Sequence, residues 1–142
     1  MKNHALPILF FLLLVLAAVI MVACGSSASR SLQSITISPA TADAQSYSGG
    51  VVQFTATGDY SSAPLEVTPL TATWGACFEG AATSGVSVSA NGVAQCAAGS
   101  TGTYTVWGYV VSNPNEGACS NVVTACGAGG CRITGTAQLT CP

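Results

Sequence analysis

The stretch GVSVSANGVAQCAAGSTGTYTV, residues 85–106, decides the fold of this 142-residue chain. Val86 and Val88 alternate with serines and lead into the pair Asn91-Gly92, which is a strong sequence signal for a tight β-hairpin. The end of the stretch, TGTYTV, again alternates threonine with larger apolar or aromatic residues. This two-residue period places successive side chains on opposite faces of a strand. We therefore predict a hairpin followed by a further strand.

The same period recurs across residues 32–142, and helical periodicity does not. Short strands separated by glycine, proline and asparagine are typical of a β-sandwich. The predicted fold class is therefore all-β. The residues expected to face the core are Ile35, Ile37, Val52, Phe54, Ala56, Leu70, Ala72, Trp74, Val86, Val88, Tyr104, Val106, Val110, Ile133, Ala137 and Leu139.

Charged residues are scarce, at 6% of the chain, against about a quarter in ordinary soluble domains. Beyond Ala23 the basic residues are Arg30 and Arg132, against five acids. Nucleic acid is excluded as a partner, because phosphate binding requires clustered cations. Attachment to an anionic membrane through charge is disfavoured for the same reason.

The N-terminus has the order of a secretory signal. Lys2 precedes an apolar run that continues without a charge through residues 5–23. An uncleaved transmembrane anchor is the alternative, because a helix of this length extends about 29 Å and would just span a bilayer.

The end of this run, Met21-Val22-Ala23-Cys24, resembles the lipobox of bacterial lipoproteins. Met21 departs from that family, which usually has leucine at this position. The resemblance implies cleavage before Cys24, a diacylglycerol on its thiol and acylation of the new amine. Each buried methylene contributes about 0.8 kcal/mol, so two or three acyl chains would anchor the protein almost permanently. Gly25 stands where an aspartate would signal retention at the inner membrane, so the resemblance implies no such signal.

Three segments follow from these patterns. Residues 1–23 are the predicted lipoprotein-type signal or anchor helix. Residues 24–31 are the predicted acylated cysteine and a flexible tether, GSSASRS, which would span roughly 15 Å. Residues 32–142 form the predicted β domain, with a cysteine-rich insert at 112–131.

Within that domain, the ordered motifs SITISPA, GGVVQFTATG, VTPLTATWGA and GVSVSANGVAQCAAGSTGTYTV resemble bacterial immunoglobulin-like domains of the group-2 type. The resemblance covers residues 32–111. It implies an immunoglobulin-like β-sandwich of the kind that serves as an adhesion or scaffold unit. The insert at 112–131 departs from the family, which usually has a short turn there.

Six cysteines lie beyond Cys24, an even number that predicts three disulfides in an exported domain. They are Cys77, Cys96, Cys119, Cys126, Cys131 and Cys141. Six cysteines permit fifteen connectivities. Our expectation is Cys77–Cys96 within the sandwich, with Cys126–Cys131 and Cys119–Cys141 holding the insert.

Metal, redox and catalytic functions all lack their usual residues. Cys126 and Cys131 are the one C-x2-4-C pair, with no second pair to complete a four-ligand zinc site, and no histidine follows His4, so we predict no metal and no cofactor. Without histidine, the Ser-His-Asp and Cys-His arrangements are excluded, and we predict that the protein is not an enzyme. A carboxylate enzyme is a remote alternative. The available acids, which fall in no motif, are Asp43, Asp59, Glu66, Glu79 and Glu116.

Trp107 and Tyr109 are out of phase with Tyr104 and Val106, so they are expected on the outer face of a sheet. Two hypotheses follow. The rings form an open platform for a sugar or a protein, or the insert folds over them as a second small core. We favour the covered arrangement.

The sequence thus predicts a non-catalytic lipoprotein of the bacterial cell envelope that faces the periplasm or the cell surface. The membrane is its expected partner through Cys24, and its Ig-like module would serve adhesion, protein binding or structural spacing. The alternative is a carbohydrate-binding accessory lipoprotein that uses Trp107 and Tyr109 against a polysaccharide.

Overall fold

A computed structural model describes residues 29–111, 126–127 and 129–142. The predicted signal or anchor helix, Cys24, Glu116 and Cys119 lie outside these residues. The regular secondary structure of the described part is β-strand apart from two short 3-10 turns, so the predicted all-β class is confirmed. A search of these same residues finds no helix with the length and hydropathy needed to cross a bilayer.

Eleven strands and two short 3-10 turns make up the described part of the chain. The strands are β1 (Leu32–Ser38), β2 (Thr41–Asp43), β3 (Val51–Gln53), β4 (Thr55–Tyr60), β5 (Glu66–Val67), β6 (Thr73–Phe78), β7 (Ala81–Ala82), β8 (Val86–Val88), β9 (Val93–Cys96), β10 (Gly102–Val111) and β11 (Arg132–Cys141). The 3-10 turns, Ala44–Ser46 and Ser48–Gly50, connect β2 to β3. The predicted Asn91-Gly92 turn joins β8 to β9, which pair antiparallel.

The strands form two layers. Three-stranded sheets in the orders β1-β4-β5 and β3-β9-β8 make the first layer, because β3 and β4 are consecutive and separated only by Phe54. A five-stranded sheet in the order β2-β11-β10-β6-β7 makes the second layer. The chain crosses between the layers after β1, so that β1 pairs with β4 while β2 pairs in parallel with β11. The result is a sandwich-like arrangement.

The core lies between the layers and follows the predicted alternation. Phe54, Val52 and Leu139 have no exposed surface, and Val106 is equally inaccessible. Most of the predicted inward residues are buried, and the others pack against the core as partly buried side chains. The period-two pattern therefore identified the inner faces correctly.

The predicted strand through Leu70, Ala72 and Trp74 is shorter than its alternation suggests, because β6 begins at Thr73. Leu70 and Ala72 still pack against the core, but from the connection that precedes β6. Pro69 has no N–H to donate to a sheet, and Leu70 makes an isolated backbone bond to the carbonyl of Ala56 (2.7 Å). The alternation at Leu70 and Ala72 therefore correctly indicates buried side chains, although these residues are not part of a strand.

The two ends of the sandwich differ in what they carry. Because β1 and β2 run in the same direction as β11, Leu32 and Arg132 begin their strands at one end, here called the tether end. Val111, which is opposite Arg132 in the register, ends β10 there as well. Pro142 follows β11 at the opposite end, here called the far end. The ten residues of β11 separate the two ends by about 33 Å.

Candidate functional site

Two disulfides have both cysteines among the described residues, and their pairing corrects our expectation. Cys77 bonds Cys126 (S–S 2.04 Å), and Cys96 bonds Cys141 across a Cα–Cα distance of 5.9 Å. Cys131 is also disulfide-bonded. The expected pairs Cys77–Cys96, Cys126–Cys131 and Cys119–Cys141 are therefore wrong.

The reason is the face on which each sulfur lies. Ala76 and Phe78 pack against the core, so Cys77 between them points to the outer face of the second layer. Cys96 instead packs against the core from β9 in the first layer. The Cys96–Cys141 disulfide consequently joins the two layers at the far end. The Cys77–Cys126 disulfide lies on the outer face of the second layer.

The outer face of the second layer also carries the predicted aromatic pair. On β10, Trp107 is opposite Gly75 of β6 on one side and Thr136 of β11 on the other. Tyr109 lies next to Trp107 along the strand, with the two ring centroids 5.6 Å apart and stacked. Both rings therefore lie on the outer face, as the alternation along β10 predicted.

Two glycines make room for the Trp107 ring. A methyl group built on Gly75 would overlap Cζ2 of the indole and lie 2.6 Å from its Cη2. A methyl group built on Gly127 would lie 2.7 Å from the indole Cε3. Gly127 follows Cys126 and is held further by the Thr134 hydroxyl, which donates to its carbonyl (3.1 Å). The Cys77–Cys126 disulfide thus fixes backbone from the insert against the indole.

Both rings of the pair have close contacts within the protein. Trp107 is half-buried, and its indole Nε1 is inaccessible to solvent and has no hydrogen-bond partner among the described residues. The Arg132 guanidinium lies over the Tyr109 ring, 4.1 Å from the centroid. The rings therefore contact Gly127, each other and Arg132. Most of the insert lies outside the described residues, so the covered arrangement stays a prediction.

A second set of contacts fixes the start of the domain. Arg30 lies over the Tyr60 ring at 3.6 Å and donates to the carbonyls of Ser62 (3.2 Å) and Pro64 (2.5 Å). The Ser31 carbonyl accepts a bond from the Ser61 amide, 2.9 Å away. Sequence reasoning assigned Arg30 and Ser31 to the flexible tether. They are instead hydrogen-bonded to the loop between β4 and β5, so these two residues are not part of a free tether.

The acids are dispersed, and two of them have structural partners. The Asp43 carboxylate accepts from the Gln45 amide (3.0 Å) at the start of the first 3-10 turn. Asp59 accepts from the Ser34 hydroxyl (2.6 Å) and is opposite Glu66 in the register of β4 and β5. Among the described residues, no three His, Cys, Asp or Glu side chains come together as a metal site would require.

Two open grooves occur on the described surface. One, of about 430 Å³, lies at the far end beside the Cys96–Cys141 disulfide, between the 3-10 turns and the loop from Ala97 to Thr101. The other, of about 360 Å³, lies beside Phe54 and Trp74. Neither lining contains Asp, Glu, His, Lys or Arg, so neither groove has a side chain able to act as an ordinary general base near neutral pH.

No protein-family model matches the sequence, and no curated protein matches it significantly.

The Arg30 contacts lead to a first testable expectation. Replacing Arg30 with alanine should lower the free energy of unfolding by about 1 kcal/mol, because it removes a cation–π contact and two hydrogen bonds at an exposed site. It should also speed amide hydrogen exchange in residues 29–34. Arg30→Lys keeps the charge over Tyr60 but lacks the planar fork, so its exchange rates should be intermediate. Unchanged exchange in Arg30→Ala would contradict the attachment.

Proposed function

We propose that the chain is a non-catalytic lipoprotein of the bacterial cell envelope, anchored through acylated Cys24. Its β domain is proposed to be an immunoglobulin-like module for adhesion, protein binding or structural spacing, outside the cytoplasm. The observation that carries the proposal is the direct succession of a lipobox-like sequence, a short polar segment and a disulfide-braced β domain to which Arg30 is attached.

The strand pairing supports the immunoglobulin-like part of the proposal. Immunoglobulin sandwiches pack one sheet of strands A, B, E and D against another of C, F and G. Here β1, the combined β3 and β4, β9 and β8 occupy the positions of A, B, E and D, and β6, β10 and β11 occupy those of C, F and G. The sequence motifs that resemble the group-2 domains fall on these strands in the same order.

The disulfides support a compartment outside the cytoplasm. Every cysteine in the described part of the chain is oxidised. Structural disulfides of this kind persist in oxidising compartments and are rare in the cytosol. A protein delivered by a lipoprotein signal would meet such conditions.

The residues available for recognition favour binding over catalysis. The described surface presents open grooves without acid–base groups and a sandwich with hydroxyl-rich strands. No observation favours the carbohydrate-binding alternative over this one, since the rings of Trp107 and Tyr109 already have partners. The proposal is therefore a display module whose partner is a protein or the envelope itself.

Intact mass measurement of the membrane-extracted protein tests the anchor. We expect the mass of a chain that begins at Cys24, increased by two or three acyl chains and reduced by the six hydrogens of three disulfides. Cys24→Ala should abolish the acyl mass and leave the signal uncleaved. Ser26→Ala, a matched small change two residues away, should keep the acylation. A mature chain that is free in the cytosol with reduced thiols would overturn the proposal.

A further inference from the structure

The tether end collects the most exposed apolar side chains of the described domain. Leu65 exposes 64% of its surface and Val111 exposes 49%. At the far end the corresponding values are 39% for Tyr47 and 38% for Val51. Leu65 follows Ala63 and Pro64, which are also exposed, so an apolar tip of three residues projects where the tether meets the domain.

Both arginines of the domain lie at this same end, each over a tyrosine. Arg30 covers Tyr60, and Arg132 covers Tyr109. Tyrosine rings with a polar edge and arginines with long apolar stems are residue types that suit the boundary between water and lipid headgroups. Among the described residues, the acids Asp59 and Glu66 at this end equal the two arginines in number.

The far end has the opposite character. Its acids are Asp43, beside the first 3-10 turn, and Glu79, in the turn after β6, and no arginine or lysine accompanies them among the described residues. A negative end without basic residues would be repelled by anionic lipid. The described residues of the tether end carry as many acids as arginines and expose more apolar surface.

We propose that the tether end of the domain seats against the surface of the lipid bilayer, with Leu65 inserted at the boundary between headgroups and acyl chains. This inference rests on the proposed acylation of Cys24. It adds that the domain is oriented on the membrane, with the far end and its 430 Å³ groove directed away from the lipid.

The length of chain before the domain makes this contact accessible. Six residue steps separate Cys24 from Arg30, which span about 21 Å at full extension and about 13 Å on average as a flexible chain. Arg30 is bonded to the carbonyl of Pro64, immediately before Leu65. A lipid anchor at Cys24 would therefore hold the tip close to the bilayer. The short link would raise the effective concentration of the tip at the membrane surface.

Depth-sensitive tryptophan fluorescence tests the seating. The variants are Leu65→Trp at the tip and Tyr47→Trp at the far end, both at exposed positions, made in the mature acylated protein. Each is reconstituted into phosphatidylcholine vesicles with and without bromine on the upper acyl chain, and the parent protein provides the background from Trp74 and Trp107. We expect the added Leu65→Trp emission to fall roughly twofold in brominated vesicles, since interfacial apolar groups lie about 5–10 Å into this boundary. The added Tyr47→Trp emission should not change.

The possible failures are distinguishable. If intact mass confirms acylation and the two variants are quenched equally, the seating is overturned while the lipid anchor stands. If the mass shows no acyl chain, the proposed anchor fails and the seating fails with it. Far-UV circular dichroism and intact mass of each variant establish that the fold and the disulfides are retained.

Discussion

Replacing Gly75 with alanine should lower the free energy of unfolding by about 3 kcal/mol, the upper part of the usual range for overpacking. The added methyl would overlap Cζ2 of Trp107 and lie 2.6–2.7 Å from two further ring atoms. The indole cannot move away freely, because Gly127 contacts it and the Cys77–Cys126 disulfide holds Gly127 in place. Urea unfolding with the disulfides intact measures the loss.

A double-mutant cycle isolates the cause. In a Trp107→Leu background the overlapping ring atoms are gone, so adding Gly75→Ala should leave the free energy of unfolding unchanged or raise it by up to about 1 kcal/mol, because alanine loses less backbone entropy than glycine in a strand. If Gly75→Ala costs the same in both backgrounds, the close approach of the indole to Gly75 is not the source of the loss.

Removing either described disulfide should have the largest effect of all, about 4 kcal/mol each, because each closes a loop of almost 50 residues. The sequence separations are 49 for Cys77–Cys126 and 45 for Cys96–Cys141, so their effects on the unfolded chain should be nearly equal. The double alanine variants Cys77→Ala/Cys126→Ala and Cys96→Ala/Cys141→Ala provide a matched pair, compared by urea unfolding.

Fluorescence should separate the two variants even where their stabilities agree. Loss of Cys77–Cys126 releases Gly127 from Trp107, so the folded variant should emit at longer wavelength as the indole becomes hydrated. Loss of Cys96–Cys141 acts at the far end and should leave the emission of the folded state unchanged. An equal red shift in both variants would contradict the covering role of Gly127.

The sequence predicted the layers better than it predicted the connections between distant residues. Alternation at Ile35, Ile37 and Phe54 identifies inner faces, because the strand period and burial are local properties. The disulfides depend on which layer and face bring two sulfurs within reach, and spacing along the chain does not report this. Cys77 and Cys96 are near in sequence, yet Cys77 points to the outer face of the second layer and Cys96 points into the core.

In the candidate sites, too, local features were predictable from the sequence and contacts between distant residues were not. The outward phase of Trp107 was predictable from its neighbours, and its close packing on Gly75 required the register between β6 and β10. A glycine opposite an aromatic residue is a usable signal only once that register is known. The attachment of Arg30 to Tyr60 joins positions 30 residues apart through side-chain geometry, and no local pattern indicates it.

The parallel pairing of β2 with β11 has a mechanical consequence. A load applied between the membrane and a partner held at the far end would pull these neighbours in opposite directions along their length. The hydrogen bonds between β2 and β11 would then be loaded in shear, all at the same time. They include the bond from the Gln138 amide to the Ala40 carbonyl (2.9 Å). Even after such a rupture, the covalent loop from Cys96 to Cys141 would keep most of the C-terminal half from unravelling. With the proposed anchor at Cys24, this pairing would resist tension along the strand direction.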